Sequence, residues 1–318
     1  MQDTSMEYRP DKDHRLNLEE CLIMGMAALF NILIVIFKIL GQAGDIFILN
    51  IMIMASILIA ATVYKRFPHA TIRFLRDWIV LVFLIVIYLE NRRLIPLINP
   101  HDLDGMIIAI DRFLFLGHDP TVLLERITYP LLTEVLQLFY ASFYFLPFTL
   151  CVILYAQEQK MEFHIIASTI IMGFLLSYIG YYLTPAIGPR FTLDHLQSFP
   201  LRGVLFFDFI RNMLAQAEGV MRDCCPSGHT LVSLLTVLLA RRAAKRFSVI
   251  ASIWACLIIF SAVYLRYHYV TDLVAGLFLG LVVYSIGPGI ADVFINRGRQ
   301  VGGSFGMIPS GKEERPSG

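Results

Sequence analysis

Long uninterrupted apolar runs constrain this chain more than any other feature. Stretches such as Phe163–Leu183 and Phe247–Leu265 approach the ~20 residues that carry a helix through the ~30 Å hydrocarbon core of a bilayer. Eight such runs can be read: Leu18–Leu40, Ile46–Tyr64, Phe74–Leu89, Leu131–Tyr155, Phe163–Leu183, His229–Ala244, Phe247–Leu265 and Leu273–Phe294. Within lipid a backbone must satisfy its own hydrogen bonds, which only helices and closed barrels achieve. The expected fold is therefore all-α, a polytopic membrane helix bundle with about eight transmembrane helices. The chain is 57% hydrophobic and only 16% charged, whereas soluble domains run nearer ~45–50% and ~25%. A net charge of +1 lacks the basic footprint that nucleic acid requires. The five cysteines (Cys21, Cys151, Cys224, Cys225, Cys256) are scattered and form no disulfide framework.

Loop charges orient the bundle. One side takes Arg9, Lys12, Arg15, Lys65, Arg66, Arg73, Arg76, Lys160, Arg241, Arg242, Lys245, Arg246 and the basic residues after Asn296. The opposite side holds fewer. The richer side is expected to be cytoplasmic, with both termini there. No cleavable signal peptide is expected at the polar N-terminus, and the Gly/Ser-rich tail is expected to be disordered. Two outer segments, Glu90–Pro130 and Thr184–Gly228, are too long for idle connectors. Their mix of arginine and aliphatic residues suits short helices in the membrane interface.

The unusual polar residues gather on that outer side. His268 and Asp272 are spaced i, i+4, which stacks them on one helix face. A carboxylate there can hold one imidazole nitrogen and leave the other free as base or nucleophile. In the stretch CCPSGHT, Pro226 suits the approach to a helix and Ser227 a helix N-cap. Gly228 admits close backbone approach, and the free N–H groups of the first turn attract anions beside His229. Arg190, Arg222 and Arg266 flank these histidines in sequence, and guanidinium forks suit phosphate oxygens. Taken singly, each feature also reads as an ordinary helix cap or a solvated charge.

Together these residues resemble the type-2 phosphatidic acid phosphatase superfamily of membrane enzymes. Pro226-Ser227-Gly228-His229 matches its Pro-Ser-Gly-His motif, and His268 to Asp272 matches the His-x-x-x-Asp that follows. Gly188-Pro189-Arg190 and the stretch from Asp111-Arg112 to Pro120 resemble the branch containing the inositol phosphorylceramide synthases, the aureobasidin target. Two basic positions of the motifs fall instead on Leu183 and Ala262. The resemblance implies a six-helix core over 67–296, preceded by two extra transmembrane helices in 1–66 and followed by a cytoplasmic tail, 297–318.

It also implies roles. His268 attacks phosphorus, Asp272 orients it, and His229 protonates the leaving oxygen. Arg190, Arg266, Arg222, Ser227 and Gly228 hold the phosphate. No cofactor and no metal is implied, and adjacent Cys224-Cys225 is poor geometry for a zinc site built with His229 and His268. The implied substrate is a membrane lipid phosphate or pyrophosphate within the bilayer, with water as acceptor for a phosphatase. An alcohol acceptor would make the enzyme a head-group phosphotransferase. Glu90, Asp111 and Glu134 then stand as candidates to bind a polyol, or to pair with Arg92, Arg93, Arg112 or Arg126. A transporter is the rival from another class, since intramembrane Asp45, Glu134 and Gln137 could line a path. The oligomeric state has no signature in the sequence.

Overall fold

The computed structural model describes residues 16–218 and 222–304. The polar N-terminus before residue 16 and the tail from 305 onward lie outside the described residues. The described chain folds into α-helices and short 3-10 turns, with no strand among the described residues. In chain order these are α1 (Leu18–Ile36), α2 (Leu40–Arg66), α3 (Ala70–Ile98), α4 (Asp104–Leu114), α5 (Pro120–Leu123), α6 (Pro130–Ala141), α7 (Phe145–Ala156), α8 (Lys160–Leu183), α9 (Pro189–Thr192), α10 (Phe207–Glu218), α11 (Gly228–Ala243), α12 (Lys245–Tyr264) and α13 (Val270–Ser304).

Among the described residues five helices are long and apolar enough to cross a membrane: α1, α2, α8, α12 and α13. The bent pair α6–α7 makes a sixth if it is one span. The other two expected spans are helical too. However, α3 carries arginines and acids at both ends, and α11 has only 16 residues. The run expected as one helix, Leu131–Tyr155, is two helices set at 50°. Ser142 sits at the break, accepting a hydrogen bond from the Trp254 indole of α12 at 2.7 Å and donating one to the Phe139 carbonyl. The chain restarts with Pro147 in the first turn of α7, where its missing N–H removes no helix bond.

α8 and α11 are the central pair, with α13, α12 and α7 around them, and one apolar core runs through the bundle. Polar side chains fasten α1 and α2 to it. Asn50 donates to Asn31 and to Glu90, joining α1, α2 and α3. At the end where α1, α3 and α8 begin, Arg76 makes a two-pronged pair with Glu20. Beside it, His164 of α8 meets Glu19 of α1 at 2.9 Å and stands 3.9 Å from Asp77 of α3. Unpaired, such groups would be costly in a low-dielectric interior. Paired, they fix which helices are neighbours.

Candidate active site

At the opposite end of the bundle, α11 and α13 begin side by side. Ser227 caps α11 by accepting the Thr230 N–H at 3.3 Å, and its own N–H donates to the Asp272 carbonyl. The two helix starts are thereby stitched together. Gly276 makes this contact possible, because a Cβ there would lie 2.5 Å from the Ser227 carbonyl oxygen. His229 and His268 then face each other with ring centroids 5.6 Å apart.

The surroundings of His268 define its chemistry. Its Nδ1 lies 2.9 Å from the backbone carbonyl oxygen of Cys224 and 3.5 Å from Oδ2 of Asp272. A carbonyl only accepts, so this bond requires the proton on Nδ1 and leaves the Nε2 lone pair free. Asp272 Oδ2 meanwhile accepts the Cys224 thiol at 2.8 Å and the Tyr269 N–H at 3.0 Å. The i, i+4 pair is thus close, but the nearer partner of the imidazole is a carbonyl from CCPSGHT. Cys224 Sγ, His268 Nδ1 and an Asp272 oxygen lie within 4.8 Å of one another, which is metal-ligand spacing. Burial, followed by the Asp272 charge and hydrogen bond, pushes the Cys224 thiol well above its ordinary pKa. In this arrangement the thiol donates to Asp272, and the three groups form one hydrogen-bonded cluster.

His229 is packed between rings, stacked on Tyr140 and tilted against Phe143, each at 4.3 Å. Tyr140 stacks in turn on Tyr267 at 4.3 Å, and the Arg190 guanidinium lies 5.2 Å from the Tyr267 ring centroid. A column of flat groups therefore links His229 to Arg190. Both histidines, Arg190, Gly228, Cys224 and Asp223 line one cavity of about 60 Å³. A Cβ on Gly228 would stand 2.7 Å from the Tyr181 hydroxyl.

Arg190 arrives through Gly188, whose φ of +93° favours glycine. A side chain there would also meet the Tyr267 carbonyl oxygen at 2.8 Å. The turn is held from α4, where Asp104 accepts the N–H groups of Ile187 and Gly188 and the Tyr269 hydroxyl. Two turns further on, Asp111 accepts the N–H groups of Val270 and Thr271, capping α13 just after His268.

The remaining expected residues are engaged elsewhere. Arg266, at φ +65°, bonds Gln197, the Phe199 carbonyl and Glu125. Arg222 forms a pair with Asp102. Neither lines the cavity, so Arg190 is its one lining arginine among the described residues. Ser227 is buried beneath Gly228 and bonds Thr230. The three acids considered for a polyol acceptor have other duties. Asp111 caps α13, Glu134 accepts the N–H groups of residues 204–207 at the start of α10, and Glu90 accepts from Asn50.

One residue the motif reading passed over does line the cavity. Asp223 accepts the Tyr88 hydroxyl at 2.7 Å. Burial pushes its carboxyl above the ordinary range, against the Tyr88 hydrogen bond and the nearby His268, which lower it. Its signal was only adjacency to CCPSGHT; Tyr88, 135 residues away, had none.

A helical bundle with membrane-length spans thus encloses one cavity lined by a histidine pair, an arginine and a capped helix start. The family model described as the PAP2 superfamily matches residues 105–286, more than half of the chain, and the chain belongs to that superfamily. It is also 29% identical over 194 residues to a PA-phosphatase related-family protein of Dictyostelium discoideum, covering 54% of this chain and 34% of the relative. The chain thus spans about a third of the length of that relative. No solved structure matches it significantly.

Proposed function

We propose that the protein is a membrane lipid phosphatase that works through a phosphohistidine, without a metal. The carrying observation is the Nδ1-protonated arrangement of His268, its free edge sharing a cavity with His229 and Arg190. The Nε2 lone pair attacks phosphorus as the bond to the leaving oxygen breaks, and that oxygen takes a proton from His229. The charge left on the phosphorylated ring is balanced by the Cys224 carbonyl and Asp272. Water then gives a proton to His229 and attacks phosphorus. The P–N electron pair returns to Nε2, and inorganic phosphate leaves. Arg190 and the first N–H groups of α11 stabilise the equatorial oxygens.

The arginine- and lysine-rich loops support a cytoplasmic placement of the opposite end, with the cavity on the outer or lumenal side and the six-helix core beginning at α3. Purified protein supplied with lipid phosphates should release phosphate, and His268→Ala should abolish the release. Full activity in that variant would overturn the reading.

A second reading is head-group transfer, as in the inositol phosphorylceramide synthases. Asp223 and the Tyr88 hydroxyl favour it, since together they offer an alcohol acceptor polar partners in the cavity. Label moving from a phospholipid to an added ceramide or diacylglycerol would identify transfer, whereas release only as free phosphate would leave hydrolysis.

A further inference from the structure

A second cavity, of about 240 Å³, adjoins the histidine cavity and shares Tyr144, Phe174 and Tyr178 with it. It lies between α3, α7 and α8 and has no charged side chain in its wall. Leu84, Phe148, Cys151, Ala167 and Ile170 form much of its surface. The shared Tyr144 stands at the break between α6 and α7, so the 50° bend falls where the two cavities meet. The outer wall faces the surroundings of the bundle: Ile85 is 49% exposed, Phe145 61% and Phe148 44%. Along α8, from Tyr178 to Ala167, the cavity wall runs eleven residues, about 16 Å.

We propose that this cavity seats a hydrocarbon chain of the phosphate-bearing lipid, which moves in laterally from the bilayer between α3 and α7. The proposal rests on the histidine reading above and names what that site recognises besides phosphate. Vacant apolar space inside a bundle is destabilising, and a cavity with a bilayer-facing wall is filled by what surrounds it. Apart from Tyr144 and Tyr178, which it shares with the histidine cavity, the lining is Leu, Ile, Phe, Pro, Cys and Ala, which suits a hydrocarbon chain rather than a sugar, a nucleotide or a charged head group. A lipid chain is already in an apolar medium, so this seat adds little hydrophobic driving force. Its effect is positional. With the chain along α8 and the head group past Tyr178, the phosphate is held against His268 rather than free to tumble in the interface.

Two measurements test this. In nanodiscs, kcat/KM is compared for long-chain phosphatidic acid and for soluble nitrophenyl phosphate. Ala167→Phe and Ile170→Trp, which fill the cavity, should lower the lipid-to-soluble ratio at least about tenfold. Ile253→Trp, on the exposed side of α12, should leave the ratio unchanged. An unchanged ratio in both filling variants would overturn the seat. Independently of turnover and of how the variants fold, wild-type protein is photolysed with a lipid phosphate bearing a diazirine near its chain end. Adducts on 148–151 or 167–171 are expected. Adducts confined to α12 and α13 would overturn the seat even if phosphate release is robust. Absence of release with adducts at α7 and α8 would strike the phosphatase reading alone.

Discussion

The carbonyl oxygen of Cys224 lies 2.9 Å from Nδ1 of His268, closer than the carboxylate of Asp272 at 3.5 Å. A main-chain group, which mutation does not remove, therefore sets the tautomer of the histidine. Asp272→Asn should accordingly cost about 10²-fold in kcat, through lost electrostatic support. The ~10⁴-fold loss expected when the same change misplaces the ring proton should not appear. Steady-state kinetics on a lipid phosphate decide between these, with Tm showing that the fold is kept. The Cys224 thiol supports the same carboxylate, and Cys224→Ser should keep more activity than Cys224→Ala.

The two histidines should separate by leaving group. His268→Ala should abolish turnover and any acid-labile phosphoprotein. His229→Ala should slow alkyl esters by about 10²–10⁴-fold, the usual range for a lost general acid. It should slow the first step with nitrophenyl phosphate far less, because nitrophenolate leaves without a proton. Equal losses in pre-steady-state bursts for both substrates would deny His229 that role.

The three arginines should behave differently. Arg190→Lys should lower kcat/KM by about 10²-fold with little change in Tm, since it replaces a fork by a point charge in the cavity. Arg266→Ala should lower Tm, leaving Glu125 without its buried partner at a cost of about 3 kcal/mol. Arg222→Ala removes an exposed pair with Asp102 and should change stability by under about 1 kcal/mol. Parallel kinetics and thermal melts of the three variants test the assignment.

Asp223 gives a pH signature. Its carboxyl is raised in the folded protein by burial, so folding favours the protonated form. That stability is fully present below the ordinary carboxylate pKa of about 3.9. It is lost as pH rises through the raised value. Asp223→Asn, which is always neutral, should therefore raise Tm at neutral pH and leave it nearly unchanged at about pH 3. An equal shift at both pH values would place the cause in lost contacts instead.

Much of this architecture was legible from spacing. Apolar runs located the helices because a bilayer demands length, and Ser227 with Gly228 announced the start of α11 because caps are local chemistry. Arg190 was legible through Gly188-Pro189. What escaped depends on contacts between distant segments. The break at Ser142 is held by Trp254, 112 residues away, and nothing near Leu131–Tyr155 in sequence records it. Asp111 and Glu134 could be recognised as acids, but a carboxylate capping a helix elsewhere looks, in sequence, like one waiting for a ligand. Arg266 lay two residues from His268 and still turned away, because its positive φ sends the side chain to Glu125.

The buried clasp of Glu19 and Glu20 bears on how the protein is made. α1 is the first of the described helices to be synthesised, yet Arg76 comes 56 residues after its partner Glu20, and His164 comes 145 residues after Glu19. During synthesis Glu20 must wait for α3 to bring Arg76, and Glu19 must wait longer, until α8 brings His164. The first turn of α1 is thus fully paired only after six further helices, α2 to α7, have been made.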